Sequence, residues 1–355
     1  MKDQTVLNLV KELTELAGPI GQEEQVQEWI YQSWDSFAKA VEVSRVRNVV
    51  ANMGGDGPSI LLAAHADEIC FMVKSISPEG LIFLSPHNAD SHGRPPAGLF
   101  PFGQTAVILG NKGVVSGVFT SKTGHALGPQ KWDKGQTLAW NDIYVETGAG
   151  SGGELEEKGV HPGCRIIWNP PTRQLGPLLY GKAMDDRALL AILTLLGQSL
   201  ASSKLRYETY FGSTVQEEIG LVGASSITSS REYDLAIALD IGLSSDIPGV
   251  SERDIPTQLG EGPVLLYQDS TVHYNYGFTE HLADIAAEND IPFQRTIYQN
   301  YACDGEMFVR AGIPTAMIAL PARYTHSPFE MLHIEDLKHT VELLQAFLYA
   351  KPFQG

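Results

Sequence analysis

Ser59-Ile60-Leu61-Leu62-Ala63-Ala64 is an unbroken apolar run, the pattern of a strand buried on both faces of a sheet, and it stops on His65-Ala66-Asp67. The same design recurs down the chain. Leu178-Leu179-Tyr180 leads to Met184-Asp185-Asp186-Arg187, and Tyr210 to Val215 leads to Gln216-Glu217-Glu218. Leu235-Ala236-Ile237-Ala238-Leu239 ends on Asp240, and Met317-Ile318-Ala319-Leu320 is followed by His326. Helical patterns lie between these runs: one near Arg187, one from His281 to Glu288, and a closing one from about Asp336 to Ala350. Strand and helix in alternation predict an α/β fold, a mostly parallel or mixed sheet flanked by helices.

Two helical patterns open the chain. The first carries Val6, Leu9, Val10 and Leu13 and stops at Gly18-Pro19; the second runs through Val26, Trp29 and Ile30. From 71 to 164 the character changes, with frequent Gly and Pro and short β-type runs. Ala106-Val107-Ile108-Leu109 and Val114-Val115-Ser116-Gly117-Val118, joined through Gly110-Asn111-Lys112-Gly113, read as a hairpin. The expected organisation is a discontinuous larger domain, 1–70 and 165–355, with a small β-barrel-like domain inserted at 71–164.

Composition narrows the function. A formal charge of −17 with no basic stripe excludes nucleic acid and anionic membranes as partners. The longest apolar stretches fall well short of the ~20 residues of a membrane span, and the N-terminus lacks the continuous apolar segment of a secretory signal. A cytoplasmic protein is expected. Its three cysteines, Cys70, Cys164 and Cys303, are scattered and form no CxxC pair, so reduced, buried thiols are expected rather than disulfides or a thiolate metal site.

The residues at the strand ends carry the chemistry. Taken singly, each has a plain reading: a histidine after a strand is usually structural, Asp185-Asp186 could cap a helix, Glu217-Glu218 could be a solvated loop, and Asp240 a turn residue. Five runs ending in chelators argue instead for one site, because ligands of open α/β sheets gather beyond the carboxyl ends of the strands. Two imidazoles and three carboxylates without a thiolate suit zinc, cobalt or manganese. Asp185 is placed to bridge two ions. Two divalent ions bring +4, and Asp185, Glu218 and Asp240 bring −3, so one hydroxide would neutralise the cluster. Such a hydroxide is a nucleophile at neutral pH, and the ions stabilise the oxyanion made when it attacks a carbonyl. One of the paired glutamates can ligate while the other serves as general base. Asp67 is a candidate partner for the His65 ring.

The segments His65-Ala66-Asp67-Glu68, Met184-Asp185-Asp186-Arg187, Gln216-Glu217-Glu218-Ile219-Gly220 and Pro321-Ala322-Arg323-Tyr324-Thr325-His326-Ser327-Pro328 together resemble the M42 family of dinuclear metallo-aminopeptidases. Arg47 to Ala51 and Leu259 to Val264 also look like that family. The insertion between the first and second ligands fits it better than related peptidase families, which carry theirs later or lack one. The resemblance implies His65 and Asp240 on one ion, Glu218 and His326 on the other, Asp185 between them, Glu217 as base and Asp67 orienting His65. It further implies a cytoplasmic exopeptidase acting on short peptides. It implies a homo-oligomer, a dimer or a tetrahedral dodecamer with its active sites facing an inner chamber, in which the insertion would be the dimerisation domain.

The chain departs from that family's usual pattern at Cys70, Leu189, Val222 and Ala302-Cys303-Asp304-Gly305, changes expected to reshape the pocket for the first substrate side chain. The segment from Ser85 to Pro101, with His87, His92 and Arg94, reads as an elaborated subunit contact. Other readings of the same residues are a deacylase acting on N-blocked substrates and a catalytically silent assembly protein. An endoglucanase is disfavoured, since glycoside cleavage relies on an acid/base carboxyl pair.

Overall fold

In the strand Ser59–His65, Ile60, Leu62 and Ala64 pack on one side of a sheet while Leu61 and Ala63 pack on the other. The same parity holds in Leu235–Gly242, where Leu235, Ile237, Leu239 and Ile241 enter the first core and Ala236 and Ala238 the second. Thr315–Arg323 repeats it, with Ala316, Ile318 and Leu320 opposed to Met317 and Ala319. Side chains alternate across a strand, so each apolar run must be covered on both faces.

The structure is a computed structural model describing residues 1–87, 103–122, 142–201 and 204–354. Two units make it up: Met1–Glu68 with Thr172–Thr325 and Phe329–Gly355, and Ile69–Pro171 with His326–Pro328. In the first unit the long side chains of the larger core meet helices Asp3–Glu15, Glu24–Asp35, Met184–Ser199, Tyr276–Glu288 and Ile334–Tyr349. The alanine-rich second face meets the short helices Val222–Ser230 and Gly305–Arg310. Small residues are required there: a Cβ on Gly305 would stand 2.8 Å from the Tyr274 ring and 3.1 Å from the Ala238 Cβ.

The sheet is mixed, with a parallel centre. Its order is Ala40–Val43, Val49–Gly54, Glu208–Thr214, Ser59–His65, Leu235–Gly242, Thr315–Arg323, Glu330–His333, Leu178–Gly181, Arg173–Leu175, with Val264–Leu266 and Gln294–Thr296 attached through Thr315–Arg323. Glu208–Thr214, Ser59–His65, Leu235–Gly242 and Thr315–Arg323 run parallel. Their carboxyl ends therefore share one edge. Thr214 pairs with His65, and Ala238 pairs with Ala63, so Asp240, two residues on, lies level with His65.

The second unit is a closed antiparallel barrel of Cys70–Ile76, Ile82–His87, Ile143–Glu146, Gly113–Ser121, Thr105–Gly110 and Arg165–Trp168, in that order. The hairpin expected around Gly110 and Gly113 is present, with those two residues paired. Phe71, Phe119 and Trp168 meet at the barrel core, with Phe71 5.1 Å from each of the other two ring centroids. Where the sequence reading ends the insertion at 164, the strand Arg165–Trp168 pairs with Thr105–Gly110 and Cys70–Ile76 and closes the barrel. All three cysteines are buried. Among the described residues no helix is long and apolar enough to cross a membrane. His92 and Arg94 lie outside the described residues.

Candidate metal centre

Six of the seven expected site residues come together where the parallel strands end. His65 closes its strand fully enclosed, and its Nε2 stands 2.9 Å from Asp185 Oδ1 and 4.0 Å from both Glu217 Oε2 and Asp240 Oδ1. Among the described residues two groups could hold an ion: His65 with Asp185 and Glu218, and His65 with Asp186 and Asp240, the ligand atoms of each lying within 4.8 Å of one another. The seventh, His326, belongs to the unit that contains the barrel and has a left-handed φ of 58°.

Backbone geometry aims these groups. Ala183 (φ 52°) and Gln216 (φ 53°) are non-glycine residues in the left-handed region, immediately before Met184-Asp185 and Glu217-Glu218. Such conformations cost about 1–3 kcal/mol each and persist where the surroundings over-determine them. Gln216 is held in this way. On its N-terminal side, Gly223 N–H donates to Val215 O at 2.9 Å and Gln216 N–H donates to Glu23 Oε1 at 3.2 Å. On its C-terminal side, Val222 N–H donates to Gln216 O at 3.2 Å, and the amides of Glu217 and Glu218 donate to Asp67 Oδ1 and Oδ2 at 3.0 and 3.1 Å.

Asp67 Oδ1 lies 3.5 Å from His65 Nδ1, the ring it is expected to orient, and the two Asp67 oxygens also take the amides of the glutamate turn. The His65 backbone N–H donates to Asp186 Oδ2 at 3.1 Å. Asp185 is fastened from behind: its N–H donates to Glu330 Oε2 at 2.9 Å, and Thr325 Oγ1 reaches both Asp185 Oδ2 at 3.3 Å and Glu330 Oε1 at 3.1 Å.

Below the site, Glu68 is buried with two cations. Lys182 Nζ reaches both its oxygens at 2.9 Å, and Arg187 Nη2 reaches Oε1 at 3.0 Å. The same cations cap the end of the first helix, Lys182 at Leu16 O and Arg187 at Leu13 O, Leu16 O and Gly18 O. Arg187 also donates to Ala66 O, tying that helix end to the segment that carries His65 and Asp67.

The electrostatics are those of a cation site. Burial penalises the charged form of Glu217, and Asp240, Glu218 and Asp304 add like-charge repulsion, so its carboxyl is raised well above the usual range. Asp240 is raised by burial and by Asp185. Asp186 is raised by burial, then Asp240 and Asp185. Burial opposes protonation of His65, yet Asp185, Asp67 and Glu217 outweigh it and lift the imidazolium well above its ordinary value. Acidic groups that repel one another this closely are relieved by a multivalent cation. The donors are imidazole nitrogen and carboxylate oxygen, which suit a borderline or hard divalent ion. The residues fit a metal.

Asp186 and Asp304 stand in the sequence only as parts of motifs with no role assigned, and Glu23 and Glu330 are not signalled at all. Asp304 is fully buried, accepts from Thr214 Oγ1 at 2.5 Å, and is raised to about 6 by burial. Of the departures from the family pattern, Leu189 lies in the larger core, and Cys303 in the second, against Tyr274 and Met317.

Solved structures of similar architecture include several peptidases. An aminopeptidase from the archaeon Desulfurococcus kamchatkensis superposes with a TM-score of 0.91 at 27% identity, covering 98% of this chain and 95% of that one. The TET1 peptidase of Pyrococcus horikoshii, which can assemble into a tetrahedron or a large octahedral shell, gives 0.86 at 25% identity over 97% and 99%. Lysyl aminopeptidase of Pyrococcus furiosus is 28% identical over 348 residues, 96% of each chain. The chain belongs to the M42 peptidase family, whose profile, described as M42 glutamyl aminopeptidase, matches residues 47–343. It is a peptide hydrolase.

Proposed function

We propose that the protein is a dinuclear metal-dependent aminopeptidase that removes the N-terminal residue of short peptides in the cytoplasm. The observation that carries this reading is the convergence of His65, Asp185, Asp186, Asp240 and Glu218 in two overlapping ligand groups beside Glu217. His65 and Asp240 would hold one ion, Glu218 and His326 the other, with Asp185 between them. Zinc or cobalt suits this donor set, and manganese is compatible with it.

When bound, the ions supply a water acidic enough to attack an amide carbonyl and positive charge for the resulting oxyanion. The chain's own residues do the rest. Glu217 takes the proton of the attacking water on its carboxylate and returns it to the departing amine. Asp67 fixes the backbone from which Glu217 and Glu218 project. Glu330 and Thr325 fix Asp185. The buried walls limit bulk water at the reacting carbonyl, which strengthens each charge interaction there.

The inserted barrel is the proposed dimerisation unit, and dimers gathered into a tetrahedral dodecamer are the proposed assembly. The named assembly of the Pyrococcus horikoshii relative supports this.

The test uses matched peptides with free and acetylated N-termini, on chelator-stripped protein resupplied with zinc, cobalt or manganese. Release of the first residue from free peptides alone, restored by metal, is expected. Equal cleavage of the acetylated peptide would replace the reading with a deacylase or endopeptidase, and no turnover with any metal would favour an assembly protein.

A further inference from the structure

Glu23 precedes the helix Glu24–Asp35 and is 5% exposed. Its Oε1 accepts two backbone amides, Gly21 N–H at 2.7 Å and Gln216 N–H at 3.2 Å. One turn along the same helix, the Gln27 side chain donates to Ser213 O at 3.1 Å. This helix therefore grips the strand Glu208–Thr214 and the turn beyond it from one side.

We propose that Glu23 is a positioning residue for Glu217, acting through the peptide plane between Val215 and Gln216. The argument is geometric and rests on the reading of Glu217 as base. The φ and ψ of Gln216 are the rotations that relate the plane before it to the plane after it. Asp67 and Val222 hold the later plane, through Glu217 N–H and Gln216 O. Gly223 and Glu23 hold the earlier one, through Val215 O and Gln216 N–H. Fixing both planes fixes a left-handed residue that would otherwise relax, and with it the direction in which the Glu217 side chain leaves the backbone.

Releasing Glu23 frees one end of the earlier plane. Burial, followed by the charge of Asp67, raises the Glu23 carboxyl to about 7. A neutral carboxyl still offers a carbonyl oxygen to both amides, and so does a glutamine amide.

The experiment compares E23Q and E23L with the parent, each metal-loaded, by steady-state kinetics, melting temperature and peptide-level amide exchange. E23L is expected to lower kcat about 10- to 100-fold with KM within about twofold. Its exchange should quicken in the peptide spanning 214–220 and not elsewhere. E23Q is expected to restore kcat to within about threefold and to restore the exchange protection. The proposal is overturned if E23L keeps parental kcat and exchange, if exchange rises evenly over the whole chain, or if E23Q is as impaired as E23L. Full activity of E217Q would remove the base reading on its own. Local exchange in E23L reports the hold on the turn whichever way that control falls.

Discussion

The two carboxylate oxygens of Asp67 accept, one each, the backbone N–H groups of Glu217 and Glu218, at 3.0 and 3.1 Å. A bidentate anion thus seats the turn that presents Glu217 and Glu218, the proposed base and the proposed ligand. Replacing Asp67 with asparagine sets an N–H₂ against one of those amides. D67N is expected to lower kcat about 10- to 100-fold, the scale of one unsatisfied buried donor, with a smaller change in KM. Initial-rate kinetics on a free-amine peptide check this, and parental kcat would reduce Asp67 to a packing residue.

Glu217 Oε2 lies 4.0 Å from His65 Nε2, within the cluster yet absent from both ligand groups. The variant E217Q should bind metal as the parent does while kcat falls by about 10²- to 10⁴-fold, the range of a general base. Elemental analysis alongside turnover separates the two effects. Loss of metal together with activity would recast Glu217 as a ligand.

Ligand binding to the folded state alone stabilises it, by about 4 kcal/mol when the free ion is a thousandfold above its dissociation constant. Chelator-stripped protein should melt lower than protein with zinc, cobalt or manganese restored. In H65A and D240A the upward shift should shrink or vanish. An undiminished shift in both would place the ion elsewhere.

Asp336 accepts from the N–H groups of Gly260 and Gly262 at 2.7 and 2.8 Å, and burial raises its carboxyl from 3.8 to about 6. The sign follows from which state gives up its proton first. As pH climbs from about 4 to about 6, the unfolded chain deprotonates at Asp336 while the folded chain resists, so this residue's contribution to stability falls. In chelator throughout, the parent should lose roughly 2–3 kcal/mol relative to D336N across that window. Denaturant titrations at pH 4, 5 and 6 measure the difference, and parallel curves would contradict the buried-acid account.

Lys182 gives a stability prediction. Removing one partner of a buried ion pair costs about 3–5 kcal/mol, because the other charge is left enclosed. K182M, which strips Glu68 of the ammonium that reaches both its oxygens, should therefore melt markedly lower. Thermal unfolding of K182M against the exposed control K204M tests it; equal melting points would refute the coupling.

Much of this was legible in the chain because two-sided burial leaves an apolar run and parallel strands collect their ends on one edge. Ile60 to Ala64 and Leu235 to Leu239 could be read as strands with no further information, and His65 and Asp240 followed from where those apolar runs are broken, although the second strand continues to Gly242. The short strands Ala40–Val43, Arg173–Leu175 and Gln294–Thr296 gave no such signal, since they are largely exposed or only three residues long. The boundary expected at 164 leaves Arg165–Trp168 outside the barrel, because its pairing with Thr105–Gly110 and Cys70–Ile76 leaves no mark in so short a run. Glu23 and Glu330 stayed hidden for a different reason. Both act on backbone amides, and an amide leaves no mark in the sequence of which carboxylate will find it. A glutamate just past the Gly18-Pro19 stop reads as a helix-start residue and nothing more.

Both joins of the barrel excursion are moored to one short stretch of the larger unit. Where the chain departs, Glu68 accepts from Gly18 N–H; where it returns, Thr172 N–H donates to Glu15 and the Thr172 hydroxyl pairs with Thr14. The departure and return points share a landing between Thr14 and Gly18, so the excursion closes over a short gap whatever its contents. Loop closure grows costlier only with the logarithm of the length enclosed. The barrel is in that sense a cassette: both its ends are fixed on one short stretch of the larger unit, whatever the length of chain between them.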